Sequence, residues 1–279
     1  MYSNLAQAFV KPHTAEGSEQ LGQRIWGILQ KKIFKATEYP KGEAVQLSTL
    51  ESLLEKNLKW ASKPFKKKRS SENPSKKKQS ASRNRHKMIG SLAQNSIFWI
   101  LKILDARKFP ESELQGFFDI FKRVLVGYLD SKKIQIKSNF LKEIFRRRPW
   151  IGHHLLGFLL EKCGNAESEF RRVEALDLVI EILKSHVFFN TDVKGQEASK
   201  KMLKSHLPKL GLLIKVLVTN MPEKQARRTH VRKFCGKVFQ MISTSNLTKS
   251  FLKDLPPDAH VACETHLGEA FLALKKLGR

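Results

Sequence analysis

Acidic residues are in short supply in this chain. It carries 26 Asp and Glu against 52 Lys and Arg over 279 residues, a formal charge of +26. An imbalance of that size makes polyanions such as DNA, RNA or acidic protein tracts the expected partners, although a well-solvated basic surface would account for part of it. Cysteine is scarcer still. Cys163, Cys235 and Cys263 lie far apart, are odd in number and form no CxxC pair, which excludes a disulfide framework and points to a reduced, intracellular chain. No apolar run approaches the roughly 18 residues of a membrane span. The N-terminus has no basic head, apolar middle and small-residue cleavage site. A soluble, internal protein with no membrane partner is expected.

Catalytic signatures are missing too. The chain contains no GxxxxGK[ST] loop, GxGxxG, HExxH or GxSxG. No paired-carboxylate motif of the polymerase type occurs, and Asp130 reads as a helix terminus. Neither an enzyme nor a cofactor is expected. His260, Cys263 and His266 are spaced three apart, but the third rotates off the shared helix face and no fourth ligand is evident, so no structural metal site is expected. His153 and His154 are adjacent and would point about 100° apart on a helix, which does not chelate.

What is abundant is lysine and arginine, concentrated over residues 62–87: SKPFKKKRSSENPSKKKQSASRNRHK. This stretch holds eleven Lys or Arg and one acid, Glu72, leaving +16 of the +26 on the flanking sequence. Apart from Phe65 it offers no large apolar side chain. It reads as a disordered basic linker. Its two clusters, Lys66, Lys67, Lys68, Arg69 and Lys76, Lys77, Lys78, fit a bipartite nuclear localisation signal presented to the acidic grooves of a nuclear import receptor. The same charge would contact phosphates without reading bases.

On both sides of the linker the pattern is helical, with apolar residues making up 41% of the chain. Residues 1–61 form an N-terminal helical segment: a short helix over 2–11, one from Ser18 with Leu21, Ile25, Ile28, Leu29 and Ile33 in register, a turn at Tyr39-Pro40-Lys41-Gly42, and one opened by the capping-box pair Ser48 and Glu51. Such a segment buries little alone and is expected to dock on the rest or on another chain. Residues 88–279 read as an α-helical array. Its helices are expected over 88–107, from Pro110 to Tyr128, over 140–147, 150–163 and 167–186, over 195–220 with a break at Pro208, from Pro222, over 246–255, and over 258–277. No credible strand occurs. The expected fold is all-α, an irregular armadillo/HEAT-like helical repeat array, with a helical bundle as the alternative.

Two further basic groups stand out. Arg146, Arg147 and Arg148 precede Pro149 and Trp150. They would either satisfy the terminal carbonyls of a helix or bind phosphate or acid beside the indole. Arg227, Arg228, Arg232, Lys233 and Lys237 lie on one helix, as a solvated face or as part of a binding surface.

The segments QLSTLESLLEKNLK (46–59), NSIFWILKILDARKFPESEL (95–114), FLKEIFRRRPWIGHHLLGFLLEKC (140–163) and FRRVEALDLVIEILKS (170–185) resemble the C-terminal part of plant members of the DNA polymerase V / Myb-binding protein 1A family. The resemblance spans most of residues 25–190. It implies a nuclear and nucleolar helical repeat scaffold acting in rRNA gene transcription or ribosome biogenesis. It also implies contacts to rDNA or rRNA without base preference, and to transcription factors or pre-ribosomal proteins. The large N-terminal repeat region and long acidic segment of that family are absent, so the chain is expected to correspond to a portion of such a protein. The polymerase of the family name implies no activity here. A polymerase or its accessory subunit, and a protein-only interaction module for transcription factors, are the alternative functions.

Overall fold

The computed structural model describes residues 1–11, 19–36, 45–63, 76–130, 136–187 and 193–278. Among them there is helix and no strand, as the 3.6-residue periodicity requires. The turn expected at residues 39–42, the N-cap Ser18 and the cluster of residues 66–69 lie outside the described residues. The chain divides into two compact units, one of residues 1–121 with 133–136 and one of 122–132 with 137–279.

The first unit contains α1 (Tyr2–Val10), α2 (Glu19–Ile28) continued by a π-helical turn (Leu29–Phe34), α3 (Leu47–Ala61) and α4 (Lys76–Arg107). Tyr2, Phe9, Ile25, Leu29, Phe34 and Leu92 form its core, with Trp26 and Trp99 packed against it. The helix that follows the basic segment thus closes on the N-terminal helices, and α3 packs along α4. The N-terminal segment finds its apolar partner within its own chain. Two details differ from the sequence pattern. Helix α3 starts one residue before Ser48, with Gln46 at its N-cap and no side-chain capping bond. Helix α4 begins at Lys76, so it takes in the last twelve residues of the stretch expected to be disordered. Residues 76–89 contain no Gly or Pro, and six of the fourteen are Lys or Arg. Such residues lose little in a helix, so the apolar helix beyond Met88 propagates backwards through them.

The division into units falls within α5 (Gln115–Asp130), which Pro110 does not open directly: a 3₁₀ turn, Glu111–Glu113, intervenes. The second unit continues with α6 (Ser138–Arg147), α7 (Pro149–Gly164), α8 (Glu169–Val187), α9 (Val193–Thr219), α10 (Gln225–Thr244), α11 (Thr248–Asp254), α12 (Pro257–Leu267) and α13 (Glu269–Leu277). From α6 to α10 each helix packs on its successor and on its second-next neighbour, and α9 and α10 also reach α12 and α13. Helices α6, α8, α10 and α13 form one row, and α7, α9 and α12 the other. This is the stacking of helical pairs in a repeat array. The core where these helices pack is largely aliphatic: Leu155, Leu156, Leu159 and Leu160 of α7, Leu176, Val179 and Leu183 of α8, and Leu210, Ile214 and Leu217 of α9 are all buried. Burying each such side chain is worth about 1.5–3 kcal/mol. Gly152 lets α7 come close to α8, since a Cβ there would sit 2.8 Å from Ile182 Cγ1.

Three boundaries depart from the pattern. Helix α9 runs unbroken through Pro208. Pro208 and Lys204 are both exposed, so water can satisfy the Lys204 carbonyl that loses its donor. Helix α10 starts at Gln225 rather than Pro222, with Lys224 at its N-cap. The single helix expected over 258–277 is two, because Gly268 adopts φ +52°, a conformation that costs glycine little.

Candidate nucleic-acid interface

Lys76, Lys77 and Lys78, the second cluster of the basic segment, form the first turn of α4. Apart from residues 66–69, which lie outside the described residues, the other sequence-predicted basic residues fall in the second unit, and the ion pairs there decide what each can do.

Arg146 and Arg147 end α6, and Arg148 is the joint to α7, with φ −135° and ψ 71°. Trp150, in the first turn of α7, is half-buried. The Arg146 guanidinium forks onto Glu181 of α8, with Nε 2.9 Å from Oε1 and Nη2 3.2 Å from Oε2. A third bond reaches Glu143 at 3.0 Å, which Arg147 also engages at 2.7 Å. Arg148 donates to the Arg147 carbonyl at 2.7 Å. One turn earlier the same two helices are joined by Lys142 and Asp177, 2.8 Å apart. The other carboxylate oxygen of Asp177 lies 2.9 Å from His230 Nε2 on α10. Partial burial works against the Asp177 charge, but the hydrogen bonds and charges of Lys142 and His230 outweigh it and hold the carboxyl below its usual range.

The group on α10 is bonded in a similar way. Arg227 pairs with Glu169 on α8. Arg228 donates to the Pro222 carbonyl at 3.2 Å, and Arg232 to the His266 carbonyl at 3.0 Å, at the end of α12. Lys233 and Lys237 are exposed, one turn apart on the same helix.

Two arginines that sequence reasoning passed over complete the set. Arg171 pairs with Glu174 at 2.8 Å. Arg172 caps the end of α7 through the carbonyls of Cys163 and Ala166, at 3.1 and 2.6 Å. The Arg-Arg pair at the start of α8 was their only sequence signal.

Side-chain chemistry thus divides the charge. All eight arginines between residues 137 and 278 are bonded to a carboxylate or a backbone carbonyl. Ten lysines of α8–α13 are exposed and pair with no acid among the described residues: Lys184, Lys200, Lys201, Lys204, Lys224, Lys233, Lys237, Lys249, Lys253 and Lys276. The planar, weakly hydrated guanidinium suits fixed bidentate bonds, whereas the ammonium is a strongly hydrated point charge on a flexible stem. These arginines all help to fasten the array, as do Lys142, Lys162, Lys209, Lys215 and Lys275 through their own acids, and the remaining lysines charge its surface. Residues 193–276 alone carry sixteen Lys or Arg and six acids. That arrangement can attract phosphates but does not, by itself, read a sequence.

Other chemistry-bearing groups have packing roles. His153 is pushed down to about 4 by burial, and its Nε2 lies 3.0 Å from Ser185 Oγ. Burial raises all three cysteine thiols, Cys163 and Cys263 to about 12, so they stay protonated at neutral pH. His260 Nε2 lies 3.1 Å from the Leu252 carbonyl, with its ring against Phe271. Among the described residues no three His, Cys, Asp or Glu side chains gather as metal ligands.

Compared with protein-family models, with curated proteins and with solved structures, the chain matches none.

Proposed function

We propose that this chain is a non-enzymatic nucleolar scaffold that binds rRNA or rDNA through its exposed lysines and supports rRNA synthesis or ribosome assembly. The observation that carries the nucleic-acid part is the division of charge. Few acids are available, and nine of those in the second unit are engaged by cations of their own chain. The lysines left over have no internal counter-charge. A polyanion supplies it and gains from counterion release. The nucleolar setting is supported by the four segments that resemble the DNA polymerase V / Myb-binding protein 1A family, and by two basic clusters that suit an import receptor.

Two experiments test the reading. Binding of the whole chain to a labelled RNA single strand and a DNA duplex, followed by anisotropy across a salt series, is expected to be sequence-tolerant and to weaken steeply with salt. Absence of binding to either at low salt would remove the nucleic-acid role and favour the protein-only module. A fluorescent fusion is expected to enter the nucleus and lose that localisation when Lys66, Lys67, Lys68, Arg69, Lys76, Lys77 and Lys78 become alanine. Unchanged entry would take the import role away from the basic segment.

A further inference from the structure

Phe170 is the second residue of α8, and 52% of its surface remains open. Two guanidiniums from different helices lie over its ring. Arg171 Cζ lies 5.7 Å from the ring centre, and Arg227 Cζ of α10 lies 5.4 Å from it. Neither arginine is loosely placed. Glu174 holds Arg171, which also lies 5.2 Å over the buried ring of Tyr128. Glu169 holds Arg227. The carboxylates engage the guanidinium edges, so the cations are oriented around the phenyl ring before any ligand arrives. Helices α8 and α10 both begin here, and their positive ends add to the field.

A half-open aromatic ring held by two cations over it, on a surface with spare lysine charge, suits a flat π ligand attached to phosphate. We infer that Phe170 is a stacking platform for an unpaired nucleobase of a single-stranded nucleic acid, with Arg171 and Arg227 holding the ring in place and the unpaired lysines of the surface meeting the phosphates. The inference rests on the nucleic-acid reading above and narrows it to single strands at this position. A base inside a duplex is already stacked on both faces and cannot use the ring; an unpaired base can.

The test compares wild-type chain with F170A, F170L and F170W. A labelled single-stranded RNA and the duplex of the same sequence serve as probes, and anisotropy is read at one fixed low salt concentration. F170A is expected to bind the single strand about tenfold more weakly and the duplex as wild type does. F170L, apolar but without a π face, is expected to behave as F170A, and F170W to restore the affinity. As a second readout that does not depend on F170A folding, F170W is expected to show tryptophan emission quenched by the single strand beyond any change in wild type, and not by the duplex. Several results would overturn the inference: unchanged single-strand affinity in F170A, an equal loss on the duplex, full affinity in F170L, which would mark an apolar protein contact, or no added quenching in F170W. Salt-sensitive binding that ignores Phe170 would sink this inference alone. No binding by wild type to either probe would sink the nucleic-acid reading with it.

Discussion

In the first unit Tyr2 lies 4.7 Å from Trp99 and 6.4 Å from Phe34, and Phe9 stacks on Trp26 at 5.6 Å. One buried polar pair sits among these rings: Asn57 donates to the Tyr2 hydroxyl at 3.0 Å and to the Leu53 carbonyl at 2.8 Å. In the second unit Phe239 meets Phe251 and Phe271, and Tyr128, Phe140, Phe145 and Phe234 are buried along a largely aliphatic core. Its rows are laced by arginine and lysine across their surface. Both units are helical, yet they are fastened differently. Ring packing responds to a change of side-chain volume and hardly to pH or salt. A carboxylate lattice responds to protonation. The contrast also explains where spare charge accumulates, because nine acids of the second unit are paired with cations of their own chain, seven of them across helices.

The largest expected effect comes from removing volume. Leu29→Ala, at a fully buried position, is expected to cost about 3 kcal/mol. The loss should be the same at pH 5 and pH 8, read by denaturant unfolding, with amide exchange rising first in α1–α4. A pH-dependent loss would break the contrast between the units. Tyr2→Phe comes next, at about 1–2 kcal/mol, because it strips a buried amide of one partner; double-mutant analysis with Asn57→Leu should recover most of that cost. Asp177→Asn in the second unit is expected to cost less, about 0.5–1 kcal/mol at neutral pH, since the pair is partly open to solvent. Its sign with pH is fixed. A carboxyl held below its usual range stabilises the fold above the ordinary carboxylate pKa of about 4, and that stability is lost as pH falls through the folded value. Acid unfolding of Asp177→Asn should therefore converge on wild type at low pH, and a constant gap down to about pH 2 would sever the carboxylate from the effect. The smallest stability effect is expected for Lys233→Gln with Lys237→Gln, within about 0.5 kcal/mol by thermal unfolding.

How much was legible in the sequence follows the range of the forces involved. Helix identity is a local property, and the apolar periodicity of α6–α8 placed those helices within about two residues. Local signals also misled. The Ser48–Glu51 pair matched a capping box, yet the helix starts at Leu47. Pro208 looked like a break, but solvent on that face removes the penalty. Gly268 looked like ordinary helix content until its positive φ divided the last element. Packing across helices was beyond reach. Nothing in Arg146-Arg147-Arg148 announces that Glu181, 35 residues from Arg146, takes its guanidinium, and nothing around Phe170 announces that Arg227 lies over its ring. The basic excess was visible from composition, but its division between fastening arginines and open lysines needed the fold.

That division is tested most directly by the salt dependence of single-stranded RNA binding in two variants. One carries Lys233→Gln, Lys237→Gln, Lys249→Gln and Lys253→Gln, and the other Arg146→Gln with Arg227→Gln. The lysine variant is expected to keep the wild-type melting temperature while the slope of log K against log salt shrinks by about 3, roughly 0.7 for each phosphate no longer neutralised. The arginine variant is expected to melt earlier at a nearly unchanged slope. The opposite pattern, with the slope carried by the arginines and untouched by the lysines, would contradict the account.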